Sequence, residues 1–122
     1  MEITIKNKKY ELKFGFQAIH YLDKLHFVQL NGMEFGQGIR SSVIALMDEN
    51  PAAIFETIKA GLITEKQKPS DEDLESYIAD LAEKGQMDQL FQDLLRLYES
   101  QPLTKSLAKK VRVSVEKAGK NA

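Results

Sequence analysis

Apolar and polar residues alternate from the start of the chain. Ile3 and Ile5 are interleaved with Glu2, Thr4 and Lys6, and after the polar Asn7-Lys8-Lys9 the residues Tyr10, Leu12 and Phe14 are interleaved with Glu11 and Lys13. A period of two on both sides of a short polar connection predicts a β-hairpin with one buried face. Such a hairpin is marginal in water by itself, so its apolar face needs a cover. Ala18, Ile19, Tyr21, Leu22 and Leu25, at helical spacing between Phe16 and His26, are placed to supply it. Phe27-Val28-Gln29-Leu30 then reads as a short third strand.

From Ile39 onward the period becomes helical. Ile39, Val43, Leu46 and Met47 mark a helix that stops near Asn50-Pro51, because the residue before a proline is driven out of the helical region. Proline is tolerated at the first position of a helix, which makes Asn50 the N-cap of a second stripe, Ile54, Phe55, Ile58 and Leu62. After a loop over Thr64–Pro69, Ser70-Asp71-Glu72-Asp73 has the chemistry of a helix start: a hydroxyl to cap free amides and three carboxylates set against the helix dipole. Leu74, Tyr77, Ile78 and Leu81 follow on one face, and Gly85 is the expected stop. Met87, Leu90, Phe91, Leu94, Leu95 and Tyr98 fit the amphipathic template best of all. Beyond Pro102, the ridge Leu103, Leu107, Val111 and Val115 predicts a helix until the polar end Gly-Lys-Asn-Ala frays. The predicted fold is α+β and mostly α-helical: an N-terminal hairpin, or three short strands, packed on a helix and followed by about four to five helices. Residues 1–100 are expected to form one compact domain and 101–122 a basic C-terminal helix or tail.

Composition narrows the function more by exclusion than by suggestion. At 122 residues, 43% hydrophobic and 29% charged with a net charge of −1, the chain is an ordinary globular domain with no overall attraction to polyanions. The near-neutral total hides a polarity, since residues 64–100 are predominantly acidic. Residues 101–122 carry Lys105, Lys109, Lys110, Arg112, Lys117 and Lys120 against the single acid Glu116. The absence of cysteine removes disulfides, thiolate metal sites and cysteine nucleophiles. The alternating N-terminus lacks the unbroken apolar stretch of a signal peptide, and no segment approaches the roughly 20 apolar residues of a membrane span. A soluble, cytoplasmic protein is expected.

No candidate for catalytic, cofactor or metal chemistry survives inspection. Asn31-Gly-Met-Glu-Phe-Gly-Gln-Gly38 is glycine-rich, but its spacing is wrong for a phosphate loop, and Ile39-Arg40 stands where Lys-Ser/Thr is required. The dinucleotide fingerprint is missing too. The stretch reads as a turn at Asn31-Gly32 and a pliable approach to the next helix, with Met33 and Phe35 either pointing into the core or facing a partner. His20 and His26 are six apart, not the four that puts two imidazoles on one helical face, and Asp23 between them reads as a surface charge. Asp71, Glu72, Asp73 and Glu75 are accounted for by capping and solubility. Ser41-Ser42 lacks the turn of a nucleophilic serine. The basic C-terminal segment could act in a small adaptor for protein or nucleic acid, yet it has no aromatic residue for base stacking. It reads either as an interaction arm or as a tail packed on the acidic helices.

One resemblance is specific. Ile3-Thr-Ile-x-Asn-Lys-x-Tyr-Glu-Leu-Lys-Phe-Gly-Phe16, then Leu22-Asp23-Lys24, then Asn31-Gly-Met-x-Phe-Gly-x-Gly38 resembles the tail assembly chaperones of long-tailed phages and prophages of Gram-positive bacteria. It is sharpest over residues 3–38 and continues loosely to Leu103-Thr104-Lys105. The resemblance implies a non-enzymatic assembly factor of the host cytoplasm, absent from the mature virion. Such a factor binds the phage tape measure protein, keeps that long apolar chain soluble and recruits tail tube protein. It implies self-association, because a long tape measure needs many copies, and a longer partner form made by ribosomal frameshifting. Met33 and Phe35, with Leu103, Leu107 and Val111 of the C-terminal ridge, are the candidate partner contacts.

Overall fold

The computed structural model of the protein describes residues 1–121, with side chains as far as Gly119. β1 (Glu2–Ile5) and β2 (Lys8–Glu11) pair antiparallel with Ile3 opposite Tyr10, which places Ile3, Ile5 and Tyr10 on one buried face. Their connection is Lys6-Asn7, with φ of 49° and 65°. Two left-handed residues match the twist of the flanking strands, so the turn is tighter than the expected Asn7-Lys8-Lys9. The chain stays extended past β2. Lys13 N–H donates to the Gly61 carbonyl at 3.0 Å, and Leu12 and Phe14 are buried in turn.

The helices are α1 (Phe16–Leu25), α2 (Gly38–Met47), α3 (Pro51–Gly61), α4 (Asp71–Glu83), α5 (Met87–Ser100) and α6 (Lys105–Asn121). Between α1 and α2 lies a second hairpin, β3 (Phe27–Leu30) and β4 (Met33–Gly36), which pairs with no other strand among the described residues. The fold is therefore α+β and mostly helical, at 61% helix and 13% strand. The third strand was anticipated; the fourth replaces the pliable segment expected around Met33.

Local chemistry sets several boundaries. Asn50 accepts a hydrogen bond from Ala52 N–H at 3.1 Å with Pro51 at the first helical position, and Ser70 Oγ accepts from Asp73 N–H at 3.0 Å. Gly85, at φ 71°, ends α4: Gln86 N–H reaches back to the Leu81 carbonyl at 2.9 Å. One expectation fails here. β1 lies against α4, whereas α1 packs on α2 and α3, so the first hairpin is not covered chiefly by the helix that follows it. The extended residues 12–14 carry the chain away from the hairpin before α1 begins.

At the centre is Tyr98 of α5, fully buried, its ring 4.8 Å from that of Phe14. Its hydroxyl donates to Thr57 Oγ1 of α3 at 3.1 Å, and its carbonyl accepts from Thr104 Oγ1 at 2.6 Å, just before α6. One residue thus joins the N-terminal segment and α3 through its side chain, and the approach to α6 through its carbonyl. The helix α6 packs across α2 and α5, burying Ala108 and Val111. It runs to Asn121 where fraying was expected from Gly119; the last residue of that expectation, Ala122, lies outside the described residues.

Burial pushes the Tyr98 hydroxyl up to about 12, against the opposing hydrogen bond to Thr57. Because the folded value lies above the ordinary one, the contribution is complete below pH 10 and is lost as pH rises through about 12. Urea midpoints measured across that window should therefore fall more steeply for the wild type than for Tyr98→Phe. At neutral pH the same substitution should cost about 1 kcal/mol through the lost hydrogen bond.

Candidate partner-binding surface

In β3 and β4 all eight residues are exposed. The register sets Val28 opposite Phe35 and Leu30 opposite Met33. Directly opposed residues share a face, so these four apolar side chains lie together, while Phe27, Gln29, Glu34 and Gly36 occupy the other side. Leu30 and Met33 are 60% and 62% exposed, and Val28 and Phe35 are nearly half exposed. Together they leave a contiguous apolar patch in water, a kind of feature that is often functional on a monomer.

The hairpin keeps its shape without a cover because both ends are tied. At its tip, Asn31 and Gly32 have φ of 52° and 77°, the paired left-handed geometry that Asn-Gly supplies most readily. At its base, Gln37 N–H donates to the His26 carbonyl at 2.8 Å, and His26 Nε2 lies 2.7 Å from Glu56 Oε2 of α3. Of the two histidines, His20 is exposed and His26 half-buried.

Asp23 is the residue that sequence reasoning undervalued. Its Oδ1 accepts from Gly38 N–H, the first amide of α2, at 2.8 Å, so it caps a helix fifteen residues away and is not merely a surface charge. The glycines make that reach possible. A methyl group on Gly38 would lie 2.5 Å from the Leu22 carbonyl carbon and 2.6 Å from Asp23 N, and one on Gly36 would overlap the Asp23 carboxylate. Leu22-Asp23 and Gly36-x-Gly38 therefore form a single packing unit. The glycine stretch is a close contact rather than a hinge.

The remaining candidates separate. Leu107, 38% exposed on α6, lines a shallow cavity of 160 Å³ with Ile19, Asp23, Gly36 and Arg40, at the foot of the hairpin. Leu103 is exposed near the start of α6 but does not line that cavity. Val111, expected among the contacts, is 2% exposed and belongs to the core between α6 and its neighbours, where it offers no surface. Val28, Leu30 and Phe16 are exposed apolar residues that the sequence reading did not single out. The alternation Val-x-Leu and Met-x-Phe about Asn-Gly was the available signal for the first two.

The basic segment is folded into the same core. Arg112 is gripped by Glu99, with Nε–Oε distances of 3.0 and 3.1 Å, and bonds Glu116 at 3.1 Å; these hydrogen bonds hold its guanidinium above the usual range. Lys105, Lys109 and Lys110 remain on the exposed side of α6. Among the described residues, no group of three or more His, Asp or Glu side chains could hold a metal ion, and no helix is long and apolar enough to cross a membrane.

Gly38→Ala should destabilise the chain by about 2–3 kcal/mol, because the added methyl meets backbone that cannot repack locally. Gly15→Ala, where a methyl meets nothing within 4 Å, is the control and should stay close to wild type in the same chemical denaturation.

No curated protein and no solved structure matches the chain. A family model described as phage tail assembly chaperone protein, TAC, matches residues 2–112, and so takes in both hairpins, the packing unit of Asp23 with Gly36 and Gly38, and most of the helical body. The chain belongs to the phage tail assembly chaperone family.

Proposed function

We propose that the chain binds the tape measure protein of its phage in the host cytoplasm, keeps that apolar helical chain soluble, and helps bring tail tube protein to it without entering the virion. The supporting observation is the apolar face of Val28, Leu30, Met33 and Phe35, held in strand register and left in water. A chaperone needs an apolar surface that is ordered before it meets its client, since a preformed site loses less conformational entropy on binding. It also needs modest affinity per site so that tube protein can displace it, and a patch of four side chains suits that requirement better than an extended interface. Leu107, in the cavity beside Gly36, and Leu103 are further candidates separate from that face.

Co-expression with the tape measure protein tests the proposal. Wild-type chain should raise the soluble fraction of the tape measure severalfold. The double variant Met33→Asp, Phe35→Asp should lose that effect while melting close to wild type, since both positions are exposed. A tape measure equally soluble without the chain removes the proposed mechanism. Full activity of the folded double variant would place the contact elsewhere.

A further inference from the structure

The apolar stripe of α4, Leu74, Tyr77, Ile78 and Leu81, is only partly used: Leu74 is buried, and the other three are half-buried. Helices in folded domains are held largely by burial of that face, so α4 leaves apolar surface that the single chain does not cover. Of that stripe, Ile78 also borders a groove. A cavity of 570 Å³ runs between α3 and α4, lined by Ala52 and Phe55 on one side, Ile78, Ala79 and Ala82 on the other, and Met87 of α5. Alanines at three of these positions let a backbone approach closely. From Glu75 to Ala82 the groove follows α4 for roughly 10 Å, the length of about two helical turns.

Its charge selects the occupant. The charged residues in the lining are Glu56 and Glu75; Lys59, whose ammonium lies 5.4 Å from the centroid of the Phe55 ring, is paired with Asp71 at 3.0 Å. Glu56 is already engaged by His26 at 2.7 Å, whereas Glu75 makes no ion pair among the described residues. We propose that the α3–α4 groove docks a short amphipathic helix of another protein, one with leucine-like side chains along a stripe and lysine or arginine beside it. The stripe fills the groove, and the cations meet Glu75 and the outer face of Glu56. A second copy of this chain is a poor occupant. Its one lysine-rich helix, α6, spends Ala108 and Val111 on the core and leaves Leu107 as its exposed leucine, short of the stripe of several leucines that the groove would take. This site is separate from the hairpin face and stands whether or not that face binds the tape measure.

The test is an NMR titration of the full chain with a synthetic helical peptide of about fourteen residues, leucines at i, i+3 and i+7 and lysines flanking them, and with a twin carrying glutamate for lysine. The lysine peptide should shift amides in 52–56 and 75–82, and the glutamate twin should not. Glu75→Lys and Ala82→Arg, both at exposed positions, should each weaken binding about tenfold or more with the spectrum otherwise retained. The hairpin variant Met33→Asp, Phe35→Asp should bind as wild type does. Four results would overturn the proposal: equal binding of the two peptides, shifts confined to residues 27–36, undiminished binding by Ala82→Arg, or no binding at millimolar peptide. A concentration-dependent dimer abolished by Ala82→Arg would assign the groove to a second copy and overturn it as well.

Discussion

The structure turns on how closely α1 approaches the start of α2. Asp23 caps Gly38 at 2.8 Å only because neither Gly36 nor Gly38 carries a side chain. That contact fixes where α2 begins and seats α2 for α6 and α5 to pack on it. It also fixes the base of the second hairpin, since β4 ends at Gly36 against Asp23. A helix N-terminus otherwise leaves several amides without partners, and a carboxylate there satisfies one while opposing the helix dipole favourably. The same glycines that settle the core therefore decide how the hairpin leaves it.

Beyond that unit, the molecule divides into an interior in which Ser42 Oγ is the buried side-chain polar atom left without a partner among the described residues, and a surface with two unused apolar regions. Tyr98, Thr57 and Thr104 bond one another inside the core, so their polar atoms do not weaken it. Surface ion pairs such as Lys59–Asp71 at 3.0 Å and Lys6–Asp73 at 2.8 Å add little to stability in solvent. The acidic and basic halves of the sequence are thus better understood as shaping what can approach than as holding the fold. Val28, Leu30, Met33 and Phe35, by contrast, contribute little to the core while exposing apolar surface, which is the arrangement expected of a binding element.

Much of the fold was legible in the sequence because it follows local rules. Asn50-Pro51 and Ser70 announced their helices, Gly85 ended one, and the stripe from Met87 to Tyr98 was buried nearly throughout. What escaped was non-local. Nothing near Asp23 announces that it caps Gly38, and glycines selected for close approach look the same in sequence as glycines selected for flexibility. The fourth strand was obscured for that reason, although Asn-Gly between alternating residues is a strong hairpin signal. Periodicity marks a residue as apolar without saying whether its own chain or a partner covers it. Val111 and Phe35 therefore looked alike in the sequence, while the structure buries the first and leaves the second 43% exposed.

The central claim is that the second hairpin is a rigid, preformed element for binding a phage tail component. Its open edge offers a direct reading, because the amides of Phe27 and Gln29 lie at non-hydrogen-bonded positions of the register and face away from β4. Amide hydrogen exchange of the chain, alone and saturated with the tape measure protein, tests it. The account predicts paired amides already slow in the free chain and new protection concentrated in residues 27–36. Fast exchange throughout the free hairpin, or protection on binding that leaves residues 27–36 unchanged, would contradict it.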